Sequence, residues 1–387
     1  MGENGISGEE AEGVDPSPSP EAADRPAPTL RRGWTTGTCA AAAARAAFEA
    51  LATGVFPDPV GVRLPGGERP CFALATVERG EGWAQAGVVK DAGDDPDVTH
   101  GALVLSTVRR TAAGSGVSFR AGPGVGMVTR PGLPIPPGEP AINPVPRAMM
   151  REAIAEASAA LGAPGDVEIE VSIPGGDALA LQTLNPRLGI VGGLSILGTT
   201  GIVVPYSCAA WIHTIHRGVD VARAIGLGHV AGATGNVSEV AVQSLHGLED
   251  AALIDMGDFA GGMLKYLRRH PVPRVTVAGG FAKMTKLGQG LLDLHSRRGQ
   301  VDIAWLARRV REAGGDAAAV EAAGAAQSAA EVLHAVRPTG LDLPGLVAEA
   351  AWATAAKALA GASSELEVVV VDRAGQIIAR TPFRPVG

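Results

Sequence analysis

From Asn185 onward, short apolar runs repeatedly stop at a glycine-rich turn and give way to a helical stretch, and this alternation limits the fold more than any other feature of the chain. Residues 201–204 precede a helix over 209–225, residues 229–233 one over 238–248, residues 251–255 one over 259–269, and residues 274–278 a lysine-bearing turn. Strand, helix and strand in succession close by a crossover, which makes neighbouring strands parallel and lays helices on the faces of the sheet. Three helical segments are expected in 301–359, and the chain closes with strands 367–371 and 376–380 around Asp372-Arg373-Ala374-Gly375, a hairpin pattern.

The first half reads differently. Trp34-Thr35-Thr36-Gly37-Thr38 leads into an alanine-dominated helix over 40–54, with Thr36 or Thr38 as its cap. Strand-like runs follow at 61–64, 71–77, 83–89, 103–108 and 117–119, then a helix over 144–161 and an alternating strand over 167–173. The expected class is α/β in two domains, an α+β half and a βα-repeat half with a largely parallel sheet. The expected divisions are an extension 1–29, an α+β domain 30–184, a βα-type domain 185–340, and a C-terminal helix and hairpin, 341–387, packing back on the first domain.

Charge and composition narrow the function classes. The chain carries 33 Lys plus Arg against 40 Asp plus Glu, and residues 1–30 hold seven of those acids against the single base Arg25. The near-neutral remainder does not suit a protein held to nucleic acid by bulk phosphate attraction. No apolar run reaches the ~18–20 residues of a membrane span. Three cysteines are too few for a disulfide framework and fit a reducing, cytoplasmic setting. Residues 1–29 lack the basic and apolar segments of a secretory signal, and their Pro, Ser, Gly and acid content predicts a disordered extension. Glycine is abundant, 53 of 387 residues, and aromatic residues are scarce, so tight turns and a core of Ala, Val, Leu and Ile are expected.

Several segments could carry chemistry. Residues 122–134 gather four glycines and three prolines, but a dinucleotide fingerprint needs a helix directly after its glycines, and prolines follow instead. Ligand contact and a structural turn cluster both stay open there. Residues 189–201 mix glycines and hydroxyls with apolar residues, which suits either a loop binding a polar ligand through its main chain or a tight crossing in the core. In 89–100, Asp91, Asp94, Asp95 and Asp97 stand with Lys90 and His100; the glycine and distal Glu of a calcium loop are misplaced, and an Asx-turn cluster neutralised by Lys90 is the simpler reading. Cys208, His213 and His216 offer three soft ligands without a fourth, and read as ordinary helix residues. Cys39 is either a thiol of lowered pKa near a helix start or a small buried side chain, the simpler role. Lys283, Lys286 and His295 follow strand 274–278, and ligands of open α/β sheets bind at the carboxyl ends of strands. Cations there suit an anionic ligand; a solvated basic face is the alternative.

Taken together, Arg32-Gly-Trp-Thr-Thr-Gly-Thr-Cys-Ala-Ala-Ala-Ala43, Val89-Lys-Asp-Ala-Gly-Asp-Asp-Pro-Asp-Val-Thr-His-Gly101, Pro131-Gly-Leu, Gly138-Glu-Pro-Ala-Ile-Asn-Pro-Val-Pro-Arg147, Asn185-Pro-Arg-Leu-Gly-Ile, Gly193-Leu-Ser-Ile-Leu-Gly-Thr-Thr-Gly-Ile-Val203 and Leu294-His-Ser resemble the CbiD family, the cobalt-precorrin-5B C1-methyltransferases of cobalamin biosynthesis. They fall in the family's order across roughly residues 30–340. Departures are local: Cys208-Ala-Ala stands where the family usually has acids, and Phe281-Ala-Lys283 where Gly-Lys is commoner.

The resemblance implies methyl transfer from S-adenosylmethionine to ring carbon C1 of a cobalt-containing macrocycle on the anaerobic route, with cobalt carried in the substrate and no protein-held metal. On this basis Gly192, Gly193, Ser195, Gly198, Thr199, Thr200 and Gly201 are expected against the methyl donor. Lys90, Arg130, Arg147, Arg187, Lys283 and Lys286 are expected to meet the carboxylates of the corrinoid substrate. His295 is the candidate base, ahead of His100, with Asp91 the other catalytic candidate; His295 as a hydrogen-bonding residue alone is the competing role. Neither nucleic acid nor membrane is an expected partner, and a homo-oligomer stays open. The alternatives are a nucleotide-dependent oxidoreductase, which lacks its fingerprint, and a non-catalytic carrier of corrinoid intermediates.

Overall fold

The computed structural model describes residues 30–296 and 298–386, so the expected disordered extension 1–29 lies outside the described residues. The chain enters through β1 (Gly33–Trp34) and α1 (Thr36–Thr53). The cap of α1 is Thr35, one residue before the expected candidates: its Oγ1 accepts the Thr38 N–H at 3.2 Å. Gly54, at φ 84°, closes the helix in the left-handed conformation that glycine adopts without strain. Alanines cover α1 on nearly every side, so neighbours approach closely; Ser106 Oγ reaches the Ala40 carbonyl at 2.9 Å.

Beyond β2 (Val60–Gly61) and β3 (Cys71–Phe72) come β4 (Thr76–Gly80), β5 (Trp83–Val89), β6 (Leu103–Arg110) and β7 (Val117–Ala121). Two short strands, β8 (Gly124–Val125) and β9 (Met127–Val128), precede α2 (Pro144–Leu161) and β10 (Val167–Ser172). The first sheet runs β4-β5-β6-β10-β7, antiparallel except where β10 lies parallel to β7. Ala84, Ala86, Val104, Val108, Ile169 and Val171 pack with α1 and with Met150 and Ile154 of α2 in one buried cluster.

A short helix, α3 (Gly176–Ala180), leads to β11 (Ile190–Val191), β12 (Gly193–Leu194) and β13 (Ile202–Val203). These pair with β9, β8 and β1 respectively, so the division expected at residue 185 falls inside continuous pairing with the first half. Glycine makes this possible: a Cβ on Gly193 would lie 2.3 Å from the Gly124 carbonyl carbon. The expected strand at 201–204 therefore joins β1 and not the parallel sheet.

The second sheet is built from α4 (Cys208–Ala224), β14 (His229–Ala233), α5 (Asn236–His246), β15 (Leu253–Asp255), α6 (Ala260–Arg269), β16 (Arg274–Gly280) and α7 (Phe281–Gly288). It is completed by α8 (Ile303–Glu312), α9 (Ala317–Ala325), α10 (Ala329–Val336), α11 (Leu343–Leu359), β17 (Glu365–Val371), β18 (Ile377–Arg380) and β19 (Arg384–Pro385). Its order is β15-β14-β16-β17-β18, parallel from β15 to β17, with β18 and β19 antiparallel to β17. Residues 301–359 form four α-helices, not three, because Asp316 and Ser328 each cap a new start. The C-terminal hairpin is present and belongs to the second sheet, where β17 pairs with β16. Apart from half-buried Glu365, β17 is buried throughout, and such a strand needs layers on both faces, which α11 and α5 provide. Among the described residues, no helix is long and apolar enough to cross a membrane.

Candidate active site

The segment before α1 and the acidic loop after β5 are laced together. Trp34 N–H donates to Asp91 O at 2.7 Å, Arg31 N–H to Asp94 Oδ2 at 2.6 Å, and the Arg31 guanidinium pairs with both oxygens of Asp91. Hydrogen bonding to Arg31 holds the Asp91 carboxyl down at about 2, so Asp91 stays ionised and is a poor proton acceptor near neutrality, contrary to its expected catalytic role. Lys90 is only 2% exposed and donates to Asp97 Oδ2 at 2.7 Å, while Asp97 Oδ1 accepts from Thr99. This is the neutralised Asx-turn arrangement, and it removes Lys90 from the expected substrate contacts. Ala92 N–H donates to His100 Nδ1 at 3.1 Å.

The glycine loop after β12 sits on the first turn of α1. Leu197 O accepts the Gly37 N–H at 3.0 Å, and Gly201 O accepts Thr38 Oγ1–H at 2.7 Å. A Cβ on Gly198 would lie 2.3 Å from Thr35 Oγ1, and one on Gly201 2.8 Å from Leu64 Cδ2 and from Thr38 Oγ1. The close approaches that made Gly193, Gly198 and Gly201 donor candidates are thus made to this chain's own atoms. Ser195 is buried beside Asn185, whose Oδ1 lies 3.3 Å from its hydroxyl. Of the seven expected donor contacts, Gly192, Thr199 and Thr200 are exposed.

Most of the expected substrate cations already have partners. Arg147 donates to Glu139 and to the Pro140 and Ile142 carbonyls, so its guanidinium is already engaged by its own chain. Arg187 grips Glu239 at 2.8 and 2.6 Å. Arg130, half-buried over Gly189, has no ion pair among the described residues. Lys283 pairs with Asp258, and both Lys283 and Lys286 point their Nζ at Leu294 O, at 3.4 and 3.0 Å. Burial, then the neighbouring Lys283, pushes the Lys286 ammonium down. His295 is exposed on the adjoining peptide, its own N–H held by Asp293. The expected strand-end group of Lys283, Lys286 and His295 therefore assembles. Burial raises the Cys39 thiol to about 12, leaving it a packing residue. His216 stacks on Tyr266 at 3.9 Å, and no metal-binding group occurs among the described residues.

Four residues escaped sequence reasoning. Tyr206, at φ 55°, is the one non-glycine at positive φ among the described residues, a conformation costing about 1–2 kcal/mol. It is held by its N–H to Asp95 Oδ1 at 2.8 Å. Ser207 then caps α4, whose exposed Trp211 donates its indole N–H to Asp255 O at 3.1 Å. Residues 206–211 thus join the acidic loop to the carboxyl ends of the parallel strands, where Asp255 ends β15. The signal for Asp255 was present as an acid about 20 residues beyond Gly235, but it needs the strand pairing to be seen.

Residues 23–205 match the family model described as CbiD, and residues 293–382 the model described as CbiD, C-terminal domain. The Cobalt-precorrin-5B C(1)-methyltransferase of Bradyrhizobium sp. (strain BTAi1) is 66% identical over 351 residues, covering 91% of this chain and 93% of that protein. The chain belongs to the CbiD family. Proteins of the same name from Paramagnetospirillum magneticum and Agrobacterium fabrum are 62% and 61% identical, covering 90% and 92% of this chain and 97% and 94% of theirs. A crystal structure of a cobalamin biosynthesis protein (cbiD) from Archaeoglobus fulgidus is 28% identical, covers 74% of this chain and 85% of that one, and has a TM-score of 0.38. The CbiD match of the first half ends at residue 205, just past β13, where pairing with β1 ends as well.

Proposed function

We propose that this CbiD chain transfers a methyl group from S-adenosylmethionine to ring carbon C1 of cobalt-precorrin-5B, forming cobalt-precorrin-6A in anaerobic cobalamin biosynthesis. The observation that carries this is 66% identity, across nine-tenths of the chain, to a protein of that activity by name. The donor supplies an electrophilic methyl on a sulfonium. An electron pair at C1 forms the new C–C bond as the S–C bond breaks, and the sulfur leaves as a neutral thioether.

Such a displacement asks the protein chiefly for alignment and exclusion of water, which can supply several kcal/mol of the barrier. The acetate and propionate groups of the macrocycle need cations that are not already neutralised. Arg130 and the exposed Arg32 meet that requirement best, and Lys286, which donates to the Leu294 carbonyl and has no ion pair among the described residues, is next. His295, beside the lysine pair, either anchors a substrate carboxylate or takes the proton released after methylation. The chain is assigned two folding units, residues 30 to about 205 and the remainder, each with its own large buried cluster.

The test is incubation of the purified protein with cobalt-precorrin-5B and donor carrying an isotopically labelled methyl group. Label at C1 of the product is expected. A folded protein that binds the macrocycle but returns it unmethylated with intact donor would leave the carrier role in its place.

A further inference from the structure

The second sheet has a topological switch point. From β14 the chain crosses to β15 on one side and then to β16 on the other, so the connections leaving the carboxyl ends of β14 and β16 diverge. Open parallel sheets bind their ligands in the crevice that such a divergence leaves.

Two glycines stand at this crevice without a reason in the fold. Gly235, after β14, has φ 163° and ψ 171°, and Gly280, at the end of β16, has φ −64° and ψ 153°, conformations that any residue adopts. A Cβ at either position would meet no atom within 4 Å. Elsewhere in the chain, at Gly193 and Gly198, a side chain would strike neighbouring protein atoms; here it would only fill open space above the strand ends.

Asp255 ends β15 in register with Ala233, the last residue of β14. Its side chain lies on the α5 side of the sheet, following Leu253, which packs against Ala231 and Val242. Among the described residues it has no ion pair. Burial, then the charge of Glu239, pushes its pKa up, against the backbone N–H of Gly257 and the charge of Arg187, so one backbone donor and a nearby cation do not fully compensate its burial. Beside it the exposed ring of Trp211 lies against Gly257.

We propose that this crevice holds the nucleoside of the methyl donor, with the Asp255 carboxylate accepting the ribose hydroxyls and Gly235 and Gly280 leaving room for the chain that carries the sulfonium. The inference rests on the methyl-donor reading above and places the donor at the strand ends of the second sheet, away from the glycine loop 192–201. A ribose diol offers two further O–H donors to a carboxylate whose burial a backbone N–H and a nearby arginine only partly offset.

The test is calorimetric titration of S-adenosylhomocysteine into the full chain and into Asp255→Asn and Gly235→Val. Both variants are expected to keep the parental melting temperature, because Asn removes a charge that Glu239 opposes and Val enters open space. Asp255→Asn should weaken binding about tenfold or more, the cost of a charge-assisted pair of hydrogen bonds. Gly235→Val should abolish it. Methylthioadenosine and its 2′-deoxy analogue separate ribose recognition from general damage: the deoxy analogue should bind worse than its parent to the unsubstituted protein and equally to Asp255→Asn. If the unsubstituted protein binds S-adenosylhomocysteine and both variants match it, the crevice is not the donor site, although the donor reading stands. If the folded protein binds neither S-adenosylmethionine nor S-adenosylhomocysteine, that reading falls and this site with it.

Discussion

Arg147 gives its guanidinium to its own chain: Nε to Ile142 O at 2.8 Å, Nη2 to Pro140 O at 3.0 Å, and both terminal nitrogens to Glu139 Oε2 at 3.1 Å. Arg147→Ala should therefore cost about 1–3 kcal/mol in urea unfolding, as acceptors lose their donors, and leave the macrocycle KM nearly unchanged. A raised KM at unchanged stability would return Arg147 to the substrate. His229 gives a pH-dependent case. Burial, then His246 and Arg274, holds it down to about 4 from 6.5, while its Nε2 contacts Thr276 Oγ1 at 2.8 Å. Below pH 6.5 the unfolded chain takes a proton that the folded chain refuses until about pH 4, so this stability is complete above 6.5 and declines as pH falls through that window. With the ring only half-buried and partly screened by solvent, the effect is on the order of 2 kcal/mol, and His229→Gln should flatten the acid limb of a melting-temperature profile between those pH values. The partner of Lys90 was legible in the sequence because Asp97 lies in the same loop. The partner of Arg31 was not, because Asp91 is 60 positions away and only the fold makes them neighbours.

Among elements, those with a local signature were found nearly to the residue: α2, β5 and β14 agree with the patterns at 144–161, 83–89 and 229–233. Elements whose place depends on a distant partner were not. β13 has the look of a strand entering a parallel sheet, yet its two residues pair with β1, about 170 positions earlier in the chain. The final hairpin is visible as a hairpin, whereas its seat beside β16 depends on which sheet can bury the valine run 368–371. Of the candidate site, the strand-end cations and histidine were legible from position alone. The glycine loop was ambiguous in the sequence because a glycine needed for packing on Thr35 and one left bare for a ligand are the same letter. The start of α1 tests this account. Thr35 caps the helix and also fills the space beside Gly198, so Thr35→Ala should lose about 1–2 kcal/mol in thermal or urea unfolding, with Thr35→Ser restoring most of it. An equal loss from Ser would mean that the methyl group, and not the cap, matters.

Across the whole molecule, Arg187 and Glu239 tie the first half to the second. Arg187 comes from the turn between α3 and β11, and Glu239 from the first turn of α5, where it is 8% exposed. Hydrogen bonding to Glu239 is the main cause of the raised Arg187 pKa, and the charge of Asp255 adds to it. Removing the arginine alone would leave Glu239 and Asp255 near each other in a poorly hydrated place without their cation. Breaking one side of such a pair costs about 3–5 kcal/mol when fully buried; with Arg187 partly exposed, roughly 2–3 kcal/mol is expected for Arg187→Ala. Arg187→Lys keeps the charge but not the two-pronged grip, and should recover part of the loss. The double variant Arg187→Ala with Glu239→Gln should be more stable than Arg187→Ala, because the orphaned charge is gone. If the double variant instead loses the sum of both single effects, Arg187 stabilises through packing and not through Glu239. Because the pair spans the halves, Arg187→Ala should also split one calorimetric unfolding transition into two. A single transition in that variant would show that the contacts of residues 206–211 suffice to make the halves unfold together.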